Sequence, residues 1–430
     1  MTRYATVNPR LRYLTAATAL LAALTVATPA ARAAPAAPDA AAARCNADSL
    51  VKETLPNGTT WQLCWRIHQL HGLMLEKVFV SSTRYPQPVQ VLGSITVAQL
   101  NVPYDNGETE YNDVTDYGFG GDFLQTLGGD DCKGGSARVG SDSAPEPKRR
   151  AVLCVSAEGS GLAYRLENPE ENKPPLAKQG HDLVLKAISK VGWYEYITEY
   201  RFGDNGRITA RLGATGDLSP GDYTTSDKGW PIGKGARSYS SNHYHSAFWR
   251  VDFNIAGAGK EKIEQYDTKR AGSGAGSAIF KTTKTAIGKE GAFTKVNRRW
   301  WRVVSPTSKN KDGHLRSYEL ETGANDSYEA HPETTPDVTF TQHYGCEEFA
   351  TGNADPQCPN RKTILDFARN KETMTNPIMW VRVGFHHVPR DEDQSPMPVH
   401  WQGFDLTPRD FTEMNTLTPP ERDGVNGQPR

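Results

Sequence analysis

The chain has no excess of either charge. Across 430 residues, 49 Lys+Arg stand against 50 Asp+Glu, a formal net charge of −1. Without a broad positive field there is no mainly electrostatic hold on nucleic acid or an anionic membrane, so a small-molecule partner is expected. Cysteine is scarce, at six, and no two are spaced as CxxC, which argues against a zinc ribbon or a redox dithiol. Beyond the leader described below, no apolar run approaches the ~20 residues of a membrane-spanning helix. No internal repeat and no long linker divides the chain, and helical periodicity is confined to short pieces such as 364–369.

What is abundant points to β structure. The 39 Gly and 28 Pro, with 9 Trp, 17 Tyr and 14 Phe, suit a turn-rich aromatic β protein. Alternating segments recur at 61–68, 74–81, 89–100, 193–202, 208–212, 243–255, 337–343 and 378–388, separated by Gly/Asn/Asp/Ser turns. The Gly/Ser-rich stretch 271–278 reads as a loop. The fold class expected is mainly β.

Arg3, Arg10 and Arg12 precede an apolar run at 14–26, and Ala31-Arg32-Ala33 offers a small-x-small cleavage site. Residues 1–33 are therefore expected to be a signal peptide cut near Ala33-Ala34, with 34–44 an Ala/Pro spacer. The folded body is expected over 45–415 and a flexible tail over 416–430. Export implies an oxidising compartment, where Cys45, Cys64, Cys132, Cys154, Cys346 and Cys358 predict three disulfides. Their spacing favours sequential pairing without deciding it.

Residues two apart in a strand point the same way. His243 and His245 therefore share a face with Ala247, Trp249, Val251, Phe253 and Ile255. Two imidazoles at the rim of an apolar face are either satisfied core histidines or two ligands of one metal. A third ligand is sought in the strand pattern ending Phe385-His386-His387. His387 follows Met379, Val381, Val383 and Phe385 on the apolar side, whereas His386 shares its side with Arg382. Three neutral imidazoles without thiolate suit copper or zinc with positions left open for water. The alternative is a polar strand end at 386–387. A further aromatic stripe, Tyr194, Tyr196, Tyr200 and Phe202, reads by itself as core.

A series of motifs runs in order along the chain: Val102-Pro103-Tyr104, the block from Asp113 to Gly120, Tyr194-Glu195-Tyr196 and Gly213-Ala214-Thr215-Gly216. His243-Tyr244-His245 with Arg250 to Asn254 follows, then His387-Val388-Pro389-Arg390 leading to Met397-Pro398. In this order and spacing, over about 61–411, the chain resembles the catalytic β-sandwich domain of the copper amine oxidases, secreted quinoenzymes that oxidise primary amines.

The resemblance implies a large β-sandwich and oxidation of a small primary amine by dioxygen to aldehyde, ammonia and hydrogen peroxide. Tyr194 matches the tyrosine that becomes topaquinone and forms the Schiff base, and His243, His245 and His387 match the copper ligands. Asp113 matches the catalytic base, Tyr104 the tyrosine that hydrogen-bonds the quinone, and Tyr111 a gate. Cys132 and Cys154 match a family disulfide. A calcium site is implied at Asp252, the Phe253 carbonyl, Asn254 and Asn376, against the alternative of a solvated strand edge. The family also implies a homodimer. A base working on an amine is expected to be buried with a raised pKa.

The chain departs from the family pattern at Trp193, where the family has asparagine, and in a short segment between Tyr104 and Asp113. These departures suit a catalytically impaired copper-binding relative or an enzyme subunit. Two other readings are a zinc hydro-lyase, which leaves Asp113, Tyr104 and Tyr194 unexplained, and a secreted binding module without catalysis.

Overall fold

The computed structural model describes residues 43–141, 148–168, 172–235 and 237–422. The expected signal peptide, most of the spacer and residues 423–430 of the expected tail lie outside the described residues. Among those described, no helix is long and apolar enough to cross a membrane.

Two large antiparallel sheets carry the fold. The nine-stranded sheet runs Leu50–Thr54, Thr60–His68, Gly72–Ser81, Val89–Pro103, His243–Phe253, Pro377–His387, Val338–Gln342 and Gly291–Phe293, with Glu110–Asn112 added beside Val89–Pro103. The ten-stranded sheet runs Ala278–Ile287, Lys262–Ser273, Trp300–Lys309, Leu315–Thr322, Met397–Arg409, Ile208–Gly216, Tyr194–Gly203, Leu176–Val191, Arg150–Leu166 and Ser136–Gly140. Alternation places one face of each strand inward, and the two inner faces meet in a single large core. Trp61 packs on Phe202 across the sheets at 5.0 Å between centroids, and its indole donates to the Gly203 carbonyl. Trp249 meets Phe404 edge-on at 5.4 Å. The architecture is the expected mainly β sandwich.

The nine-stranded sheet is also covered on its outer face. Phe248, Ile378 and Trp380 form a second cluster with Ala350, Ile364 and Phe367 from the segment that holds the short Ile364–Phe367 helix. Residues 243–249 are therefore buried without alternation, and the opposite face, with Tyr244, Ser246 and Phe248, is buried as well. The disulfides Cys45–Cys64, Cys132–Cys154 and Cys346–Cys358 all form sequentially.

Several strands have no counterpart among the expected segments. Ala278–Ile287 is almost wholly exposed, and Arg150–Leu166 is exposed beyond its first half. A strand held only by backbone pairing has no apolar face to show in the sequence. For the same reason 271–278 is not an open loop. The ladder of Lys262–Ser273 with Ala278–Ile287 continues to Ser273 opposite Ala278, closed by Gly274 N–H donating to the Ser277 carbonyl. Residues 416–418, at the start of the expected tail, are held against the sandwich. Thr416 and Leu417 are buried, the Thr416 hydroxyl donates to the Asp204 carbonyl, and Arg84 donates to the Thr418 carbonyl.

Candidate metal and catalytic centre

Two neighbouring interior strands of the nine-stranded sheet, His243–Phe253 and Pro377–His387, place three histidines together. His243 pairs with His387 in register, and His245 lies two residues further along the same face. One ring nitrogen from each lies within 4.8 Å of the others. The hydrogen bonds around the rings select their tautomers. His243 Nδ1 faces the Ser241 carbonyl at 3.1 Å, which keeps a proton there and leaves the Nε2 lone pair free. His387 Nε2 faces the Asp393 carboxylate at 3.0 Å, which leaves its Nδ1 free. These two free nitrogens stand 3.1 Å apart.

His245 supplies the test of whether this group fits a metal. It is fully buried, Phe385 stacks flat on it at 4.8 Å, and neither ring nitrogen has a hydrogen-bond partner. A buried polar group left unpaired costs about 1–3 kcal/mol. Burial pushes His243 down to about 3 and His245 well below the usual imidazole range, so both rings are neutral. Converging lone pairs on neutral nitrogens, with no thiolate, suit copper or zinc. Sequence parity had selected His387 over His386, and His386 indeed sits outside, exposed and paired with Asp105 at 2.8 Å.

Tyr194 enters this cluster from the opposite sheet. It opens the Tyr194–Gly203 strand directly after a two-residue hairpin turn, Gly192-Trp193, in which Gly192 takes φ +58°. The Tyr194 hydroxyl lies 2.8 Å from His243 Nε2, and its ring stands edge-on to both His243 and His245. Tyr196 stacks on Tyr194 at 5.8 Å, and Phe119 stacks on Tyr196 at 5.3 Å. Tyr104 lies over His243, with centroids 4.8 Å apart, and Tyr111 meets Tyr104 edge-on at 6.0 Å.

Asp113 begins a single wide turn, Asp113–Tyr117, with π-type pairing. Gln99 braces it: its carbonyl accepts Val114 N–H at 3.2 Å and its amide donates to the Thr115 hydroxyl at 2.8 Å. Two glycines close the turn against the 68–70 backbone. A Cβ on Gly120 would lie 2.2 Å from the His68 carbonyl oxygen, and one on Gly118 would lie 2.6 Å from that of Gln69. Asp113 is buried, and the Tyr196 hydroxyl hydrogen-bonds its carboxyl. Burial dominates and pushes the Asp113 pKa up to about 7. Burial and the neighbouring phenols and carboxylates hold the Tyr104 and Tyr194 hydroxyls far above their ordinary range, so both stay protonated.

Tyr104, Tyr111, Asp113, Tyr194 and Tyr196 line one cleft of about 590 Å³, together with Trp193, Tyr117, Phe123 and Asp222. Sequence reasoning missed Asp222, which sits in a turn with no periodic pattern. It also missed Asp393 and His400. Asp393 is fully buried and accepts from His387 on one oxygen and from His400 on the other, at 3.1 Å. Its position six residues after His387 is the only sequence signal for it.

At the expected calcium ligands, the Asn254 side chain is already engaged. Its carbonyl accepts Gly259 N–H at 3.0 Å and its amide donates to Gln90 at 3.1 Å. The Asn376 side-chain oxygen is buried without a partner.

Known proteins with this sequence pattern and fold agree with one another. The family model "Copper amine oxidase, enzyme domain" matches residues 54–422. An Arabidopsis thaliana peroxisomal copper-containing amine oxidase, alpha 2, is 27% identical over 395 residues, covering 82% of this chain and 58% of the relative. Primary amine oxidase 2 of the same plant is 27% identical over 393 residues, covering 82% and 57%. The chain thus spans rather more than half the length of these curated relatives. The crystal structure of a copper-containing benzylamine oxidase from Hansenula polymorpha superposes with a TM-score of 0.73 at 21% identity, covering 85% of this chain and 61% of that one. With the family model spanning nearly all of the described sandwich, the chain belongs to the copper amine oxidase family.

Proposed function

We propose that this protein is a secreted oxidase of primary amines, yielding aldehyde, ammonia and hydrogen peroxide. Copper would be held by His243, His245 and His387, and topaquinone would be made from Tyr194. The observation that carries the reading is the Tyr194 hydroxyl, 2.8 Å from the free nitrogen of His243, within the cluster a metal would occupy. When bound, copper supplies oxidation of the tyrosine ring with dioxygen, and the resulting quinone supplies a carbonyl for the amine and a sink for its electrons.

This chain's own residues would do the rest. Asp113, raised to about 7, accepts the substrate's α-proton at its carboxylate and holds it. Tyr196 anchors that carboxyl and, with Phe119, stacks behind the Tyr194 ring. Tyr104 keeps its hydroxyl proton and so remains a hydrogen-bond donor towards the cofactor position. Tyr111, packed edge-on against Tyr104 and half-buried, lines the entrance as a gate. Asp393 fixes His387 Nε2 and so leaves Nδ1 free to hold the copper that this cluster would bind. Export is supported by the three disulfides. The working form is a homodimer.

A second reading is favoured by Trp193. Where the family has asparagine, this chain puts an indole on the hairpin turn, half exposed, with no amide to offer the cofactor. On that reading the protein binds copper without turnover. Intact mass after incubation with copper and air separates the two. Topaquinone formation adds two oxygens and removes two hydrogens, about 30 Da, and phenylhydrazine then gives a coloured adduct. Copper binding with no mass change would sink the oxidase reading.

A further inference from the structure

Asp222 ends the short turn Pro220–Asp222 and faces the same cleft as Asp113. It is 6% exposed, and its Oδ2 is buried without a hydrogen-bond partner. Its backbone is occupied: the N–H donates to the Ser219 carbonyl at 3.2 Å, and its carbonyl accepts the Ser241 hydroxyl. Among the described residues no Lys, Arg or His forms an ion pair with it. Its charge acts on Tyr104, Tyr111 and Tyr194, the three tyrosines on which Asp113 also acts, so the two carboxylates flank one aromatic chamber.

An unpaired buried carboxylate is costly unless a cation satisfies it. Among the described residues none does, and Asp222 lines the cleft. We infer that Asp222 is a specificity-determining residue that receives a second cationic group of the substrate, so that the cleft selects diamines over monoamines of equal length. This rests on the amine-oxidising reading of the same site. The reactive amine lies near Asp113 and Tyr194, where it must be uncharged to attack. The distal group keeps its proton and forms a charge-assisted hydrogen bond with Asp222. The rings of Tyr104, Tyr111 and Trp193 cover the methylene chain between them, and their π faces tolerate a passing ammonium. A monoamine would leave the Asp222 carboxylate desolvated and unmatched, which discriminates against it.

The test compares 1,4-diaminobutane with n-butylamine, which differ only in the second amine, on the full chain loaded with copper. Phenylhydrazine staining is recorded first. For stained protein the readout is the ratio of kcat/KM values, and for unstained protein the ratio of dissociation constants by calorimetry. Wild type is expected to favour the diamine by about tenfold or more, from one charge-assisted hydrogen bond. Asp222→Asn should bring the ratio to within about twofold of unity, and Asp222→Glu should retain a preference. A wild-type ratio near one overturns the inference without any variant, as does a preference that survives in Asp222→Asn. Unstained protein that still prefers the diamine would keep this inference and reject the oxidase, whereas stained protein with no preference would do the reverse.

Discussion

The hydroxyl of Tyr194 and Nε2 of His243 stand 2.8 Å apart although 49 residues separate them in the chain, one on each sheet. A single hydroxyl thereby joins the core stripe of one sheet to the histidine cluster of the other. If this contact is where the cofactor forms, Tyr194→Phe removes the ring hydroxyl on which that chemistry depends. Copper should still bind, because no imidazole is changed, while the mass gain and the phenylhydrazine colour disappear. Colour retained in Tyr194→Phe would mean that the cofactor arises elsewhere.

Asp113 should show itself in the pH profile. Folded, it keeps its proton up to about pH 7; unfolded, it loses it near 4. Turnover that needs the carboxylate should therefore rise with pH through about 7, and Asp113→Asn should lower kcat by about a hundredfold or more while leaving the colour reaction intact. Stability runs the other way. Between about 4 and 7 the folded chain binds the extra proton, so this group's contribution favours folding at the acid end and fades as pH rises through 7. The Asn variant should accordingly gain stability relative to wild type at pH 8 more than at pH 5. A flat difference across that range would show that Asp113 titrates normally.

Among the described residues neither ring nitrogen of His245 has a hydrogen-bond partner, and that asymmetry is measurable. His245→Leu should melt at or above the metal-free wild type, because an unsatisfied buried imidazole is replaced by an apolar group. Copper should raise the melting temperature of wild type by several degrees and that of the variant hardly at all. Metal-free wild type should also weaken as pH falls from about 6.5 towards 3. In that window the unfolded imidazoles take protons that buried His243 and His245 refuse. Equal copper shifts in the two proteins would remove His245 from the ligand set.

Asp393 holds His387 in the tautomer that frees Nδ1, and its second oxygen is fixed by His400. Asp393→Ala is expected to weaken copper by about ten- to a hundredfold, with an altered copper EPR spectrum as an independent sign that the ligand field has changed. Unchanged affinity and spectrum would reduce Asp393 to a structural contact.

Much of this was legible from the chain alone. Period-two alternation marked the strands that bury one face, and parity within Pro377–His387 chose His387 over His386, because a strand's side chains alternate whatever surrounds them. Strands such as Ala278–Ile287 stayed hidden, since backbone pairing leaves no mark on side-chain polarity. Proximity across sheets was equally invisible. Nothing local places Tyr194 against His243, leaves both nitrogens of His245 unpaired, or sets Asp222 beside the cleft that holds Asp113. The types of residue, their faces and the family pattern were determined by the sequence. Which polar groups became buried without partners was decided only when two sheets closed over them, because desolvation belongs to the packed whole and not to any segment of it.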